Sequence, residues 1–221
     1  MRTVVQPYSR AILLGLTYRI HAIRRDARRL IETASMYANL TDEQRYRHFG
    51  AQSMVFHGWA LAFNGEAARG LELASAGVAR CRAIGFSCWL SLFLTMLAEC
   101  HVQAGDPQSA LQCLAEAAAP VESTGERFLE AELHRLQGEI GLAAGGEPRD
   151  TEDCFARALD VARSQEARLL ELRAATSLTR LRQNQSRQAE AQNVLTPIYR
   201  RFTDGFELPD LRAAKAALMP R

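Results

Sequence analysis

Lysine is almost missing from this sequence: of 27 basic residues only Lys215 is not arginine, a bias as compatible with genome composition as with surface chemistry. Long apolar runs are missing too. No stretch approaches the roughly 18 uninterrupted apolar residues of a membrane span. The longest, Cys88 to Leu97, is broken by Ser91 and Thr95 and followed by Glu99, which reads as a buried helix. Near the N-terminus, Arg2 precedes only Val4-Val5 before Pro7, without the apolar segment and cleavage pattern of a secretory signal. The five cysteines (81, 88, 100, 113 and 154) are odd in number and contain no C-x-x-C pair, so reduced thiols in a cytoplasmic protein are expected. Cys100 and His101 are adjacent and would point about 100° apart on a helix, poor geometry for one metal, and no metal or cofactor is expected.

Catalytic signatures are equally sparse. His21, His48, His57, His101 and His134 are scattered, and no H-E-x-x-H, G-x-S-x-G or G-x-x-x-x-G-K motif occurs. Gly138, Gly141, Gly145 and Gly146 have no strand before them and read as helix packing followed by a turn. The acid pairs Asp42-Glu43 and Glu152-Asp153 are expected at helix starts, where they complement the dipole. Catalytic residues are therefore expected to be absent, and the chain is not expected to be an enzyme.

What is present is 48% apolar residues, enough for a substantial core, and a net charge of +2 that is unevenly placed. Residues 1–50 hold nine arginines against four acids; the remainder has eighteen basic residues against twenty-one acids. The strongest basic run, His21 to Arg29, lacks interleaved aromatics, so a solvated surface is expected there and nucleic acid is not expected as a partner.

Turn signals recur with a period near 40: Asn64-Gly65, Gly105-Asp106, Gly145-Gly146 and Asn184-Gln185, interleaved with Gly85, Gly125 and Gln165. Two interleaved series of helix breakers mean two helices per unit. Apolar residues between them fall at helical spacing, as in Leu90, Leu94, Leu97 and in Phe155, Leu159, Ala162, with no period-two alternation. Asp106 before Pro107 reads as an N-cap, and Thr41 with Gln44 as a capping box. Small residues recur at 15, 58, 98, 138 and 177, then at 27, 70, 110, 151 and 189, then at 34, 77, 117, 158 and 196. Such spacing suits tight antiparallel hairpins, because small side chains let helix axes approach to about 8–10 Å.

That pattern, with Leu114 or Phe155 three residues before the last small position, resembles the tetratricopeptide repeat (TPR), though with a longer period than its usual one. HEAT or armadillo repeats match the period but not the internal spacings. A further resemblance spans Pro7 to Leu218. His57-Gly58-Trp59-Ala60-Leu61, Glu130 to Glu139, Cys154 to Leu159, Glu171 to Leu178, Leu195 to Tyr199 and Phe202 to Phe206 resemble the C-terminal TPR region of bacterial adenylate-cyclase-like and predicted-ATPase signalling proteins. The cyclase and ATPase domains of such proteins have no counterpart here.

The expected architecture is all-α: one right-handed α-solenoid domain over 1–221, with hairpins near 7–40, 42–84, 87–124, 126–165 and 167–202 and a capping helix at 208–218 directing Leu211 and Leu218 inward. The N-terminal hairpin is expected to have no cap in front of it, which reads as a module detached from a longer protein or else as an end that packs on a partner or a second copy. The TPR resemblance implies a concave groove lined by the first helices, which maps to Arg19, Trp59, Phe63, Glu99, Glu132, Arg135, Glu139 and Arg182. Glu132, Arg135 and Glu139 share one helix face, ordinarily a solvated ion-paired one. The resulting expectation is a protein- or peptide-binding module in bacterial signalling or transcriptional regulation, with a homodimer possible and no membrane. A small-molecule-sensing regulatory domain, with a pocket near Arg19, Trp59 and Phe63, is the alternative.

Overall fold

The computed structural model describes residues 6–43, 45–124 and 127–219, which form eleven α-helices and no strand. Ten pair as antiparallel hairpins: α1 (Pro7–Ile23) with α2 (Ala27–Glu43), α3 (Arg47–Phe63) with α4 (Ala67–Ala83), α5 (Leu90–Gln103) with α6 (Pro107–Thr124), α7 (Glu130–Ala143) with α8 (Pro148–Ser164), and α9 (Arg168–Asn184) with α10 (Gln188–Tyr199). A last helix, α11 (Pro209–Leu218), packs on α9 and α10. The fold is an all-α solenoid of repeated hairpins.

Eight of the eleven helices stop in the same way. Arg25, Arg45, Gly65, Gly85, Gly105, Gly145, Glu166 and Ser186 all have positive φ, spaced every 20 or 21 residues except across position 125, which lies outside the described residues. At each, the following residue donates its N–H to the carbonyl five positions back, from Asp26 to His21 through Arg187 to Arg182, at 2.8–3.0 Å. This is the Schellman arrangement, which satisfies orphan carbonyls at a helix end. Four of the eight positions are not glycine, so in the last two turns the left-handed residue falls one beyond Gln165 and Gln185.

Helix starts agree at Asp106, whose Oδ1 accepts the Ser109 N–H at 3.0 Å, and Asp26 does the same for Arg29 at 3.2 Å. Thr41 does not begin a helix. Its side chain is buried and its Oγ1 donates to the Ala38 carbonyl, because the apolar stripe Leu30, Ala34, Tyr37 and Leu40 carries α2 on to Glu43. Gln44 lies outside the described residues. Asp42 and Glu43 consequently close α2, at the end where the dipole disfavours acids.

The small-residue register is also corrected at both ends of the chain. Each second helix presents its fourth residue to its partner: Leu30, Gly70, Ala110, Thr151 and Ala191 are all buried, whereas Ala27 is half-buried and Ala189 exposed. The matching first-helix positions are Tyr18, Gly58, Ala98, Gly138 and Thr179, every one buried. In α3–α4 the backbones nearly touch: a Cβ on Gly58 would lie 2.5 Å from the Ala74 nitrogen and 2.6 Å from the Gly70 oxygen. Thr179, at the same place in α9, instead donates its hydroxyl to the Ala191 carbonyl. In the first hairpin Tyr18 meets Tyr37 with ring centroids 4.8 Å apart. Burial pushes the Tyr18 phenol up to about 12 and raises that of Tyr37 as well.

The helices gather into two compact units, 1–113 and 114–221, with α6 running through the division. Unit 1 is centred on Tyr18, Phe56, Trp59, Phe93 and Leu94, each almost wholly buried. Ser91 to Cys100 of α5 are buried, as expected for that apolar run, while Cys88 precedes the helix and is exposed. Unit 2 is built on Phe155, Leu159, Leu172, Leu178, Leu195 and Leu211, with Leu218 partly buried against them. Burying each such side chain contributes about 1.5–3 kcal/mol. No helix among the described residues is long and apolar enough to cross a membrane.

Candidate functional site

In unit 1 the helices α3 and α5 bring Trp59, Phe63 and Glu99 together, without Arg19 of α1 among their contacts. Trp59 and Glu99 fall a full period apart in sequence, and the Trp59 Nε1–H donates to Glu99 Oε2 at 2.8 Å in a buried setting. The other oxygen, Oε1, is ion-paired with Arg25, whose guanidinium also lies over the Phe63 ring, 5.6 Å from its centroid. Phe63 packs on Trp59 at 4.5 Å between centroids and remains 37% exposed. Arg25, Phe63, Trp59 and Glu99 thus form a closed circuit joining the α1–α2 turn to α3 and α5. An arginine of the run expected to be solvated is spent inside the protein, while Arg28 and Arg29 stay exposed and pair with Glu32 and Asp26.

Arg19 stands in a different electrostatic position. Its Nη1 donates to Gln52 Oε1 at 3.0 Å, and its guanidinium lies 4.8 Å from the centroid of the Trp89 ring. The Nε is buried with no hydrogen-bond partner among the described residues. Burial lowers the Arg19 pKa, with Tyr37 and Cys88 opposing it. Among the described residues this half-buried cation is held by an amide and an aromatic face, with no carboxylate paired to it. Trp89 is positioned for this by an unusual backbone, φ +65°, immediately before α5.

Unit 2 treats the corresponding residues differently. Arg135 is 4% exposed, with Nε and Nη2 on the two oxygens of Glu132 at 3.0 and 2.8 Å and Nη1 on Glu139 at 2.6 Å. Ser177 donates to Glu139 at 2.6 Å, and Arg173 holds Asp210 of α11 at 2.7 Å while lying 3.7 Å from Glu132. Burial pushes the Glu139 carboxyl up, but Arg135 and Ser177 outweigh it and hold it below its ordinary value. The helix face that would ordinarily be solvated is closed over by α9. Arg182 belongs to another network, donating to Glu152 Oε1 at 2.9 and 2.8 Å, with Arg187 on the other oxygen at 2.7 Å.

Sequence reasoning missed Arg25, Gln52 and Trp89, whose contacts join segments far apart along the chain. It also missed a polar cleft of about 360 Å³ lined by Arg163, Glu166, Arg168, Glu171 and Arg201, in which Glu171 pairs with Arg163 and Arg201. The described residues contain no cluster of three potential metal ligands.

No family model matches the chain. A protein of Rhizobium meliloti (strain 1021), itself described as uncharacterized, is 32% identical over 159 residues, 72% of this chain but 15% of that protein, so the chain spans a small part of the relative's length. Among solved structures, a kinesin light chain-like protein of Podosopora anserina with nearly identical TPR-like repeats superposes with a TM-score of 0.55 at 16% identity, over 92% of this chain and 98% of that one. A single-substitution variant of that protein gives 0.57 at 17% identity, over 82% and 93%. At that identity the likeness concerns the fold, and the fold is that of TPR-like helical repeats.

Proposed function

We propose that the chain is a protein-interaction module that captures an acidic peptide or protein segment on the α1–α3–α5 face of unit 1. The observation that carries this reading is Arg19. A guanidinium costs several kcal/mol to strip of water unless something compensates. Arg25 has Glu99 and Arg135 has both Glu132 and Glu139, whereas Arg19 has a neutral amide and an indole ring. A carboxylate brought by a partner would complete the pairing, with exposed Phe63 offering apolar contact on the same group of helices. The reading takes the chain to be a binding module of a bacterial signalling or regulatory system, not an enzyme. Its support there is the resemblance of Glu130 to Glu139 and the other segments to TPR regions of such proteins, and the match to part of a much longer Rhizobium protein.

Fluorescence anisotropy with labelled Asp/Glu-rich and Lys/Arg-rich peptides tests it. Acidic peptides should bind, and Arg19→Gln should weaken them by about 10- to 100-fold, the loss of one charge-assisted hydrogen-bonded contact of about 1.5–3 kcal/mol. Equal binding of both peptide classes, or unchanged affinity of Arg19→Gln, would refute the assignment.

A further inference from the structure

A second cleft, of about 330 Å³, opens inside unit 1 where α2 ends, α3 begins and α4 passes alongside. Arg45 from the α2–α3 turn, Arg47 from the first turn of α3 and Arg80 from the last turn of α4 line it, together with a single carboxylate, Asp42. An exposed arginine on its own needs no partner. What distinguishes these three is that they share one cavity and that Asp42, in the same wall, takes none of them. Among the described residues none of the three guanidinium groups is ion-paired; Arg80 Nη1 donates at 3.4 Å to the Met54 sulfur, a weak acceptor.

The cleft of unit 2 shows the contrasting arrangement. It is also lined by three arginines, but Glu171 engages Arg163 and Arg201, and Glu166 stands beside them. Three cations against two acids leave a formal charge of +1 there, and most of it is already neutralised inside the protein. Three cations against one acid leave +2 in the cleft of unit 1, with every guanidinium still able to donate.

The backbone adds to that charge. Tyr46 is the N-cap of α3 and its side chain bonds none of the free N–H groups, and the first turn of α3 contains no acid. The positive end of a 17-residue helix is thus left uncompensated at the cleft wall. The end of α2 lies here as well, but its Thr41 and Asp42 carbonyls are taken by the N–H groups of Tyr46 and Arg45, at 2.9 and 3.2 Å. Ala38, Met54 and the Tyr46 ring make part of the wall apolar.

We propose that this cleft binds a small organic phosphate monoester, with its dianionic phosphate among Arg45, Arg47 and Arg80 and its organic part against Ala38 and Met54. Three guanidinium groups match three terminal phosphate oxygens, and a dianion matches the +2 of the wall, whereas a carboxylate brings two oxygens and one charge. The volume falls at the small end of ligand sites, which span about 300–1,000 Å³, and this favours a small molecule over a phosphorylated protein segment. The proposal goes beyond the acidic-segment reading and does not rest on it.

Isothermal titration calorimetry of the full chain with phenyl phosphate, inorganic phosphate and benzoate tests it. Phenyl phosphate should bind saturably, more tightly than inorganic phosphate and at least about ten-fold more tightly than benzoate, with added salt weakening it. Arg80→Gln should weaken it by about ten-fold or more, the loss of one charge-assisted contact. Arg45→Gly should do the same while leaving Tm unchanged or raised, because Arg45 has φ 55° within one degree, a left-handed state that glycine adopts freely. Gly50→Leu should block the cleft at unchanged charge; a Cβ there would meet only Thr41, at 3.6 Å, so the fold accommodates it. Arg19→Gln should leave phenyl phosphate binding intact, which separates this site from the acidic-segment face. Any of five results would overturn the proposal: no saturable binding of phenyl phosphate; benzoate binding as tightly; affinity unchanged in Arg80→Gln, Arg45→Gly and Gly50→Leu; binding lost in Arg19→Gln; or a phosphoserine peptide binding more tightly than phenyl phosphate.

Discussion

Replacing Arg135 by methionine should damage unit 2 more than any other single change to a charged residue. The guanidinium is 4% exposed and engages Glu132 through two N–H groups and Glu139 through a third. The largely buried network holds Arg135 and Arg173 against Glu132, Glu139 and Asp210, so it carries a formal charge of −1; without Arg135 it carries −2. Methionine fills much of the volume, leaving an electrostatic penalty. Removing one partner of a buried pair costs about 3–5 kcal/mol. In a unit of about a hundred residues, at about 4 °C per kcal/mol, that lowers Tm on the order of 12–20 °C. Differential scanning calorimetry of the full chain reads this directly. The triple change Arg135→Met, Glu132→Leu, Glu139→Gln removes the uncompensated carboxylates together with the cation and should recover at least half of the loss. A Tm within about 4 °C of wild type for Arg135→Met, or a triple variant no better than the single, would refute the view that this network is buried and mutually compensating.

Other expectations follow from the packing. Gly58→Ala should destabilise unit 1 by about 3 kcal/mol or more, because the added methyl meets backbone atoms of α4, whereas Gly141→Ala, with open space around it in α7, should stabilise by about 0.5–1 kcal/mol; urea denaturation checks both. Ser186→Gly should add about 0.5–1 kcal/mol by removing left-handed strain at φ 61°, read as a higher denaturation midpoint. Glu139 has a lowered pKa, so its contribution is complete above the unfolded value of about 4.3 and is lost as pH falls through the folded one; Glu139→Gln should flatten the acid limb of a Tm-versus-pH curve. His57 and His134 are depressed by burial, so stability should also decline as pH falls below their unfolded value of about 6.5.

The period of the fold was legible because it is written in local chemistry. Gly65, Gly85, Gly105 and Gly145 mark turns that demand a left-handed residue, and apolar spacing marks the helices between them. Where arginine, glutamate or serine occupies the same backbone state, the sequence offers no sign of it. That is why the small-residue register slipped to Ala27 and Ala189 in the hairpins whose turns carry Arg25 and Ser186. The first hairpin is the hardest to align, since Tyr18, Leu30 and Tyr37 stand where later repeats use small residues. At the candidate site, the i, i+3, i+7 spacing of Glu132, Arg135 and Glu139 announced an ion cluster but not its burial, which depends on α9 closing over it. The pairing of Arg25 with Glu99 spans more than seventy residues and leaves no local trace.

The identical backbone stop at the end of eight of the helices has a consequence for how such a chain can change. A stop and the next but one delimit a segment of about 40 residues whose ends enter and leave with the same dihedral state and the same pair of main-chain bonds. Excising or duplicating one such segment rejoins the polypeptide in a geometry it already uses, so the sole new problem is side-chain fit between neighbours. Length in this architecture is therefore adjustable in whole hairpins, and an insertion of 20 residues, which would set a first helix where a second belongs, is the change it should not survive.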